Sequence, residues 1–161
     1  YYIKQFIDEA RLKGAYPELV KPTRRRQYDK DGKIKDTHAD YPAAIRDIAA
    51  RENIPVIDLQ DMTKVLCEAM GVEESKHLYV HYPANTYPRQ AQELKDNTHF
   101  NTFGAYEVAK CVIEGMKKAK LPIVKDLKAD YINFDPSKPD KFKDFKWNLS
   151  PFTEIEKPDG N

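Results

Sequence analysis

The chain has 161 residues, with 27 Lys and Arg against 26 Asp and Glu and a formal net charge of +1. That length suits one domain with a real hydrophobic core. The balanced charge argues against a nucleic-acid binder, which carries a basic excess, and no apolar run is long enough to span a membrane.

The chain opens inside a helical pattern. "YYIKQFIDEARLKG" places Ile3, Phe6, Ile7 and Ala10 at helical spacing, with Gly14 as the stop. No capping residue, Met or signal peptide precedes it, so the expectation is a cleaved chain or part of a longer polypeptide. "AYPELVKPT" centres a short strand on Leu19 and Val20, and a polar loop with an Asp-Gly turn follows. "DYPAAIRDIAAREN" predicts a helix capped by Asp40, with Pro42 in its first turn and Ile45, Ile48 and Ala49 inward. "IPVIDL" is an apolar strand, as expected of one buried on both faces.

"DMTKVLCEAMG" predicts a helix with Met62, Val65, Leu66, Ala69 and Met70 inward and Gly71 as its stop. Residues 77–97 are expected as a long aromatic loop. The next helix, capped by Asn101 or Thr102, shows Ala105, Val108, Ala109, Val112, Ile113 and Met116 at helical spacing. Cys67 and Cys111 both fall among apolar residues on these helices, which predicts buried free thiols, with a lone disulfide as the alternative. From Leu121 the chain holds five prolines and scattered aromatics, so residues 128–161 are expected as an extended arm. The order of elements is βαβ grammar, a parallel sheet with helices on its faces. Two strands leave edges uncovered, so residues 1–127 are expected to be the later part of a larger α/β domain.

The stretch "DNTHFNTFGA" puts Asp96 three residues before His99, at the mouth of the last helix. Loops at the carboxyl ends of parallel strands are where such sheets gather active sites. An ionised Asp accepts a hydrogen bond from one imidazole nitrogen, leaving the other to take a proton from a nucleophile. The other reading of the same spacing is an Asp capping a turn beside a partly exposed His.

"EARLKGAYPELVKPTRRR", "THADYPAAIRDIAARENIPVIDL" and "DNTHFNTFGA" occur in that order. Together these blocks resemble the SGNH/GDSL hydrolase superfamily, in its rhamnogalacturonan acetylesterase-like branch, over about residues 1–120. The resemblance implies a flavodoxin-like three-layer α/β/α sandwich, of which this chain supplies the C-terminal portion. It implies deacetylation of a pectic polysaccharide by Ser-His-Asp acyl transfer, with Asp96 orienting His99 as general base and no metal or organic cofactor. It also implies a secreted or periplasmic protein.

The family's earlier blocks do not occur in this chain: the Gly-Asp-Ser nucleophile, the later Gly and the Gly-x-Asn-Asp oxyanion donors. Ser75, Ser137 and Ser150 lie after a helix or beside prolines, not on a strand-to-helix turn that would activate a serine. The nucleophile is therefore expected on a missing N-terminal half, and this chain alone is expected to be inactive. The alternatives are a non-catalytic carbohydrate-binding or interaction fragment, or an SGNH esterase acting on another ester.

Arg24, Arg25 and Arg26 are either a solvated charge run or a contact for galacturonate carboxylates, which Arg binds bidentately. Tyr79, His81, Tyr82 and Tyr87 either pack the aromatic loop or rim the site for sugar stacking; Tyr82 and Tyr87 are the substrate-binding candidates. His77 and His81 stand four apart, but no further ligand supports a zinc site. The tail aromatics Phe134, Phe142, Phe145, Trp147 and Phe152 either anchor the arm on the domain or belong to a linker.

Overall fold

In the computed structural model, which describes residues 2–147, helix α1 (Tyr2–Leu12) leads to strand β1 (Leu19–Val20) and helix α2 (Tyr41–Glu52). Strand β2 (Val56–Ile57) and helix α3 (Leu59–Glu74) follow. A 3-10 turn at Ser75–Leu78 enters β3 (Tyr79–Tyr82), and β4 (Leu94–Phe100) runs directly into α4 (Thr102–Lys118). The chain is mixed α/β. β1 and β2 pair in parallel, Leu19 opposite Val56 and Val20 opposite Ile57, with α2 as the crossover.

Two apolar clusters flank this short sheet. Ile7 of α1, Ile48 of α2 and Ile54 pack with Leu19. Ile57 joins Leu66 and Cys67 of α3, Phe103 and Cys111 of α4, and Tyr79 in the larger core. Beyond β1, the Lys21 amide donates to the Ile57 carbonyl, and its fully buried ammonium lies 2.6 Å from Asp58 Oδ2. Asp58 Oδ1 accepts the Asp61 amide and so caps α3, one carboxylate serving both strand end and helix start. Both cysteines are buried free thiols.

Residues 77–97, expected as a loop, instead form most of an antiparallel hairpin. Tyr79, Val80 and Tyr82 are aromatic or β-branched and suit a pleated, half-buried surface. The tip between the strands is held by the Gln90 side chain, which donates to the carbonyls of Pro83 and Gln92.

The inward faces of the helices also differ from the apolar pattern. In α1 only Ile7 is buried, while Ile3 and Phe6 are exposed. Ile45 of α2 is half-buried beside buried Ile48 and Ala49. In α3, Thr63 and Gln60 point inward whereas Val65 and Ala69 are exposed. Thr63 can do so because its hydroxyl donates to the Leu59 carbonyl and accepts from the Arg24 amide. α3 breaks at Gly71, whose φ of 76° only glycine adopts freely, and then continues for one turn.

The buried face of α4 is Phe103, Gly104, Glu107, Cys111 and Gly115, while Ala105 and Ala109 are exposed. Close backbone approach rotates the face: a Cβ on Gly104 would stand 1.9 Å from the Leu78 carbonyl oxygen, and one on Gly115 2.5 Å from Ile57 Cγ2.

The described part of the arm, residues 128–147, lies along α4. Glu114 accepts the Phe134 amide and the Tyr131 hydroxyl. Buried Glu107 pairs with Lys110 at 2.6 Å, and Lys110 reaches Asp140 at 2.7 Å beneath the Phe134 ring. Phe142 stacks on His77 with centroids 4.2 Å apart, and Phe145 packs edge-on against Phe103. Trp147 is half-exposed; Ser150 and Phe152 lie outside the described residues.

Candidate active site

Asp96 and His99 lie within β4, not on a free loop. In the hairpin ladder Tyr79 pairs with Phe100 and His81 with Lys95. Four residues, 96–99, therefore face the single residue Val80, and the segment bulges out of the ladder. Bulges redirect side chains in this way beside functional sites. Immediately after it, the Asn101 side-chain oxygen accepts the Gly104 amide and caps α4, while its Nδ2 donates to the His77 and Tyr79 carbonyls. The bulge is thus fixed at its carboxyl end to both the hairpin and the helix.

Within the bulge Asp96 arranges everything locally. Its Oδ1 accepts the amides of Thr98 at 2.6 Å and His99 at 3.0 Å, closing a tight turn. Its Oδ2 accepts His99 Nδ1–H at 2.6 Å. The two backbone amides and the imidazole hold the Asp96 carboxyl well below its ordinary range, at about 2. It is therefore an anion near neutral pH and fixes the proton of His99 on Nδ1. The His99 side chain is 77 % exposed, and no described side chain bonds Nε2. The available imidazole nitrogen faces solvent, where it can take a proton from an incoming hydroxyl.

The three arginines separate. Arg24 is buried, its guanidinium 2.9 Å from Asp36, and its carbonyl accepts the Tyr79 hydroxyl. Arg26 is buried too, bonded to Ser75, Asn97 and Val72. Only Arg25 is exposed. Burial of the other two is a packing fact that an undifferentiated Arg run does not reveal.

Tyr82 and Tyr87 meet edge-on across the hairpin with centroids 5.1 Å apart. Burial, and then the hydrogen bond to Tyr87, push the Tyr82 phenol up to about 12. Tyr87 is half-exposed at the hairpin tip. Tyr79 is a core residue, and burial raises its phenol strongly. His77 and His81 do not converge as metal ligands, since His77 stacks on Phe142 and His81 bonds Asn97. Ser75 is buried, accepting from Arg26 and Tyr28, and Ser137 donates to Asp135; neither meets His99.

One contributor went unread in the sequence, and a second was read only in part. Asn97, inside the Asp-His pair, bonds Arg26 and His81 and had no sequence signal beyond that position. Asn101 was expected as a cap of α4, with Thr102 the alternative, and it caps the helix but also bonds the His77 and Tyr79 carbonyls.

With its βαβ unit and the Asp-His pair in the β4 bulge, the chain is related to the rhamnogalacturonan acetylesterase-like SGNH hydrolases. Over 122 residues, 76 % of the chain, it is 45 % identical to rhamnogalacturonan acetylesterase RhgT of Bacillus subtilis (strain 168), covering 53 % of that protein. Over 126 residues, 78 % of the chain, it is 34 % identical to the probable rhamnogalacturonan acetylesterase YesY of the same organism, covering 54 % of it. The chain spans about half the length of these curated relatives and matches the C-terminal part. No family model and no solved structure matches it.

Proposed function

We propose that this chain is the Asp-His-bearing part of a carbohydrate esterase that removes acetyl groups from a pectic polysaccharide. The observation that carries the reading is the 2.6 Å bond from His99 Nδ1 to an ionised Asp96, with Nε2 open to solvent. In this reading His99 is the general base and acid and Asp96 its orienter. A serine hydroxyl on polypeptide outside this chain attacks the acetyl carbonyl while its proton passes to Nε2. Asp96 stabilises the imidazolium, which then protonates the departing sugar oxygen. Water, deprotonated by the same nitrogen, releases acetate and restores the serine. No step calls for a metal or organic cofactor.

Arg25 and the Tyr82–Tyr87 pair are the candidates for holding an acidic sugar chain beside the site: a free guanidinium for a uronate carboxylate and rings for stacking. The parallel β1–β2 pair with apolar clusters on two sides is consistent with the later part of a three-layer sandwich. Because neither Ser75 nor Ser137 meets His99, a non-catalytic carbohydrate-binding fragment is the second reading.

Complementation separates the two. The chain is combined with the serine-bearing N-terminal part of a relative, and acetate release from acetylated rhamnogalacturonan is measured. Release that disappears in His99→Ala supports the esterase. A folded complex that binds the polysaccharide without releasing acetate supports the binder.

A further inference from the structure

The bulge that carries Asp96 and His99 is anchored at its centre by a residue 71 positions earlier in the chain. The Arg26 amide donates to the Asn97 carbonyl at 2.8 Å. Its guanidinium spreads three ways: Nη1 to Asn97 Oδ1 at 3.0 Å, Nε to Ser75 Oγ at 3.1 Å, and Nη2 to the Val72 carbonyl. Ser75 is bonded in turn by the Tyr28 hydroxyl, which also reaches the carbonyls of Cys67 and Gly71. The broken end of α3 thereby becomes a fixed platform. Because Arg carries only donors, the Asn97 atom facing it is the oxygen. His81 Nε2, 2.8 Å from that same oxygen, must then donate as well. One carbonyl oxygen, between the two residues of the Asp-His pair, takes two hydrogen bonds from opposite elements.

We infer that Arg26, acting through Asn97, is the positioning residue that holds the 96–99 bulge so that Asp96 orients His99. The planar fork of Arg spans three acceptors that a lysine ammonium cannot meet together. The bulge lacks regular ladder bonds of its own, so it needs an external strut, and Arg26, in the segment following β1, supplies it. The consequence for catalysis rests on the esterase reading above; the geometry does not.

The test reads the imidazole directly, by nitrogen–proton correlation spectra of His99 in the 161-residue chain at neutral pH. The wild type is expected to carry the His99 proton mainly on Nδ1. Asn97→Ala, which leaves the Arg26 bonds to Ser75 and Val72 in place, should lose that preference. It should also raise the Asp96 titration midpoint by about one pH unit or more toward its ordinary value. Asn97→Asp keeps the accepting oxygen and should retain the Nδ1 proton. Arg26→Lys should behave like Asn97→Ala, whereas Arg24→Lys, equally buried but not bonded to the bulge, should not. A folded Asn97→Ala with the wild-type tautomer and Asp96 midpoint overturns the inference, as does a wild type lacking the Nδ1 proton. If Arg26→Lys fails to fold, Asn97→Ala and Asn97→Asp decide. Failure of acetate release in the complementation assay, with these spectra as expected, would sink the esterase reading and leave the positioning role standing. In an active complex, Asn97→Ala should lower kcat with KM little changed.

Discussion

Gly104→Ala tests whether the contact beneath the candidate site is as close as described. The added Cβ would lie 1.9 Å from the Leu78 carbonyl oxygen and within 3 Å of the Leu78 carbonyl carbon and Cα. An ordinary C···O approach is about 3.3 Å, so the two backbones must separate by roughly 1.4 Å. No flexible side chain can absorb this, because every atom met is backbone. Such a separation strains the Gly104 amide bond to Asn101, and with it the cap of α4. Overpacking of this kind costs about 3 kcal/mol, against a helix-propensity gain below about 1 kcal/mol. For a chain of this size, a net loss of about 2–3 kcal/mol lowers Tm by roughly 4–12 °C. Gly115→Ala is the internal comparison: its Cβ meets the Ile57 Cγ2 methyl at 2.5 Å, a side-chain group that can shift, so its net cost is about 1 kcal/mol or less. Urea titration followed by circular dichroism measures both. The reasoning fails if Gly104→Ala costs less than Gly115→Ala, or stays within about 0.5 kcal/mol of wild type.

The isolated chain should not hydrolyse an aryl acetate; His99-dependent turnover would show that it already holds a nucleophile. Carbon NMR of the Asp96 carboxylate should give a midpoint of about 2. Because folding lowers this pKa, its contribution to stability is complete above the ordinary carboxylate value and is lost as pH falls through about 2; a midpoint near the ordinary value would contradict the turn. Lys110→Met leaves Glu107 buried without its cation and should destabilise the chain by about 3 kcal/mol, with faster proteolysis of residues 128–147; unchanged proteolysis would show that the arm is held otherwise. Burial pushes the Cys67 thiol up to about 11 and Cys111 up to about 12. Iodoacetamide at pH 8 should therefore label neither until the chain is denatured, and labelling of the native chain would refute their burial.

Helix positions, the parallel strand pair and the free thiols were legible because periodicity and turn chemistry are local signals. The Asp-His pair was legible because its spacing and flanking blocks are local too. What escaped was decided by contacts distant in sequence. Thr63 faces the core because Arg24 bonds it from 39 residues away. Glu107 faces the core because Lys110 and the arm enclose it, and no apolar pattern counts a glutamate as inward. The hairpin was hidden because its turn spans eleven residues, and its second strand, "LKDNTHF", carries mostly polar residues. Arg24 and Arg26 read as surface charge because only the folded chain shows which carbonyls and carboxylates they meet.

The pairing of β3 and β4 shifts register across residues 96–99, and only Val80 lies opposite them. Three of those four residues are surplus to regular pairing. Removing three would leave an uninterrupted hairpin, with Lys95 and Phe100 still opposite His81 and Tyr79. The same position is thus a splice point. The hairpin can be built without the site, giving a blank scaffold, and alternative short segments can be installed between Lys95 and Phe100 with the flanking ladder unchanged.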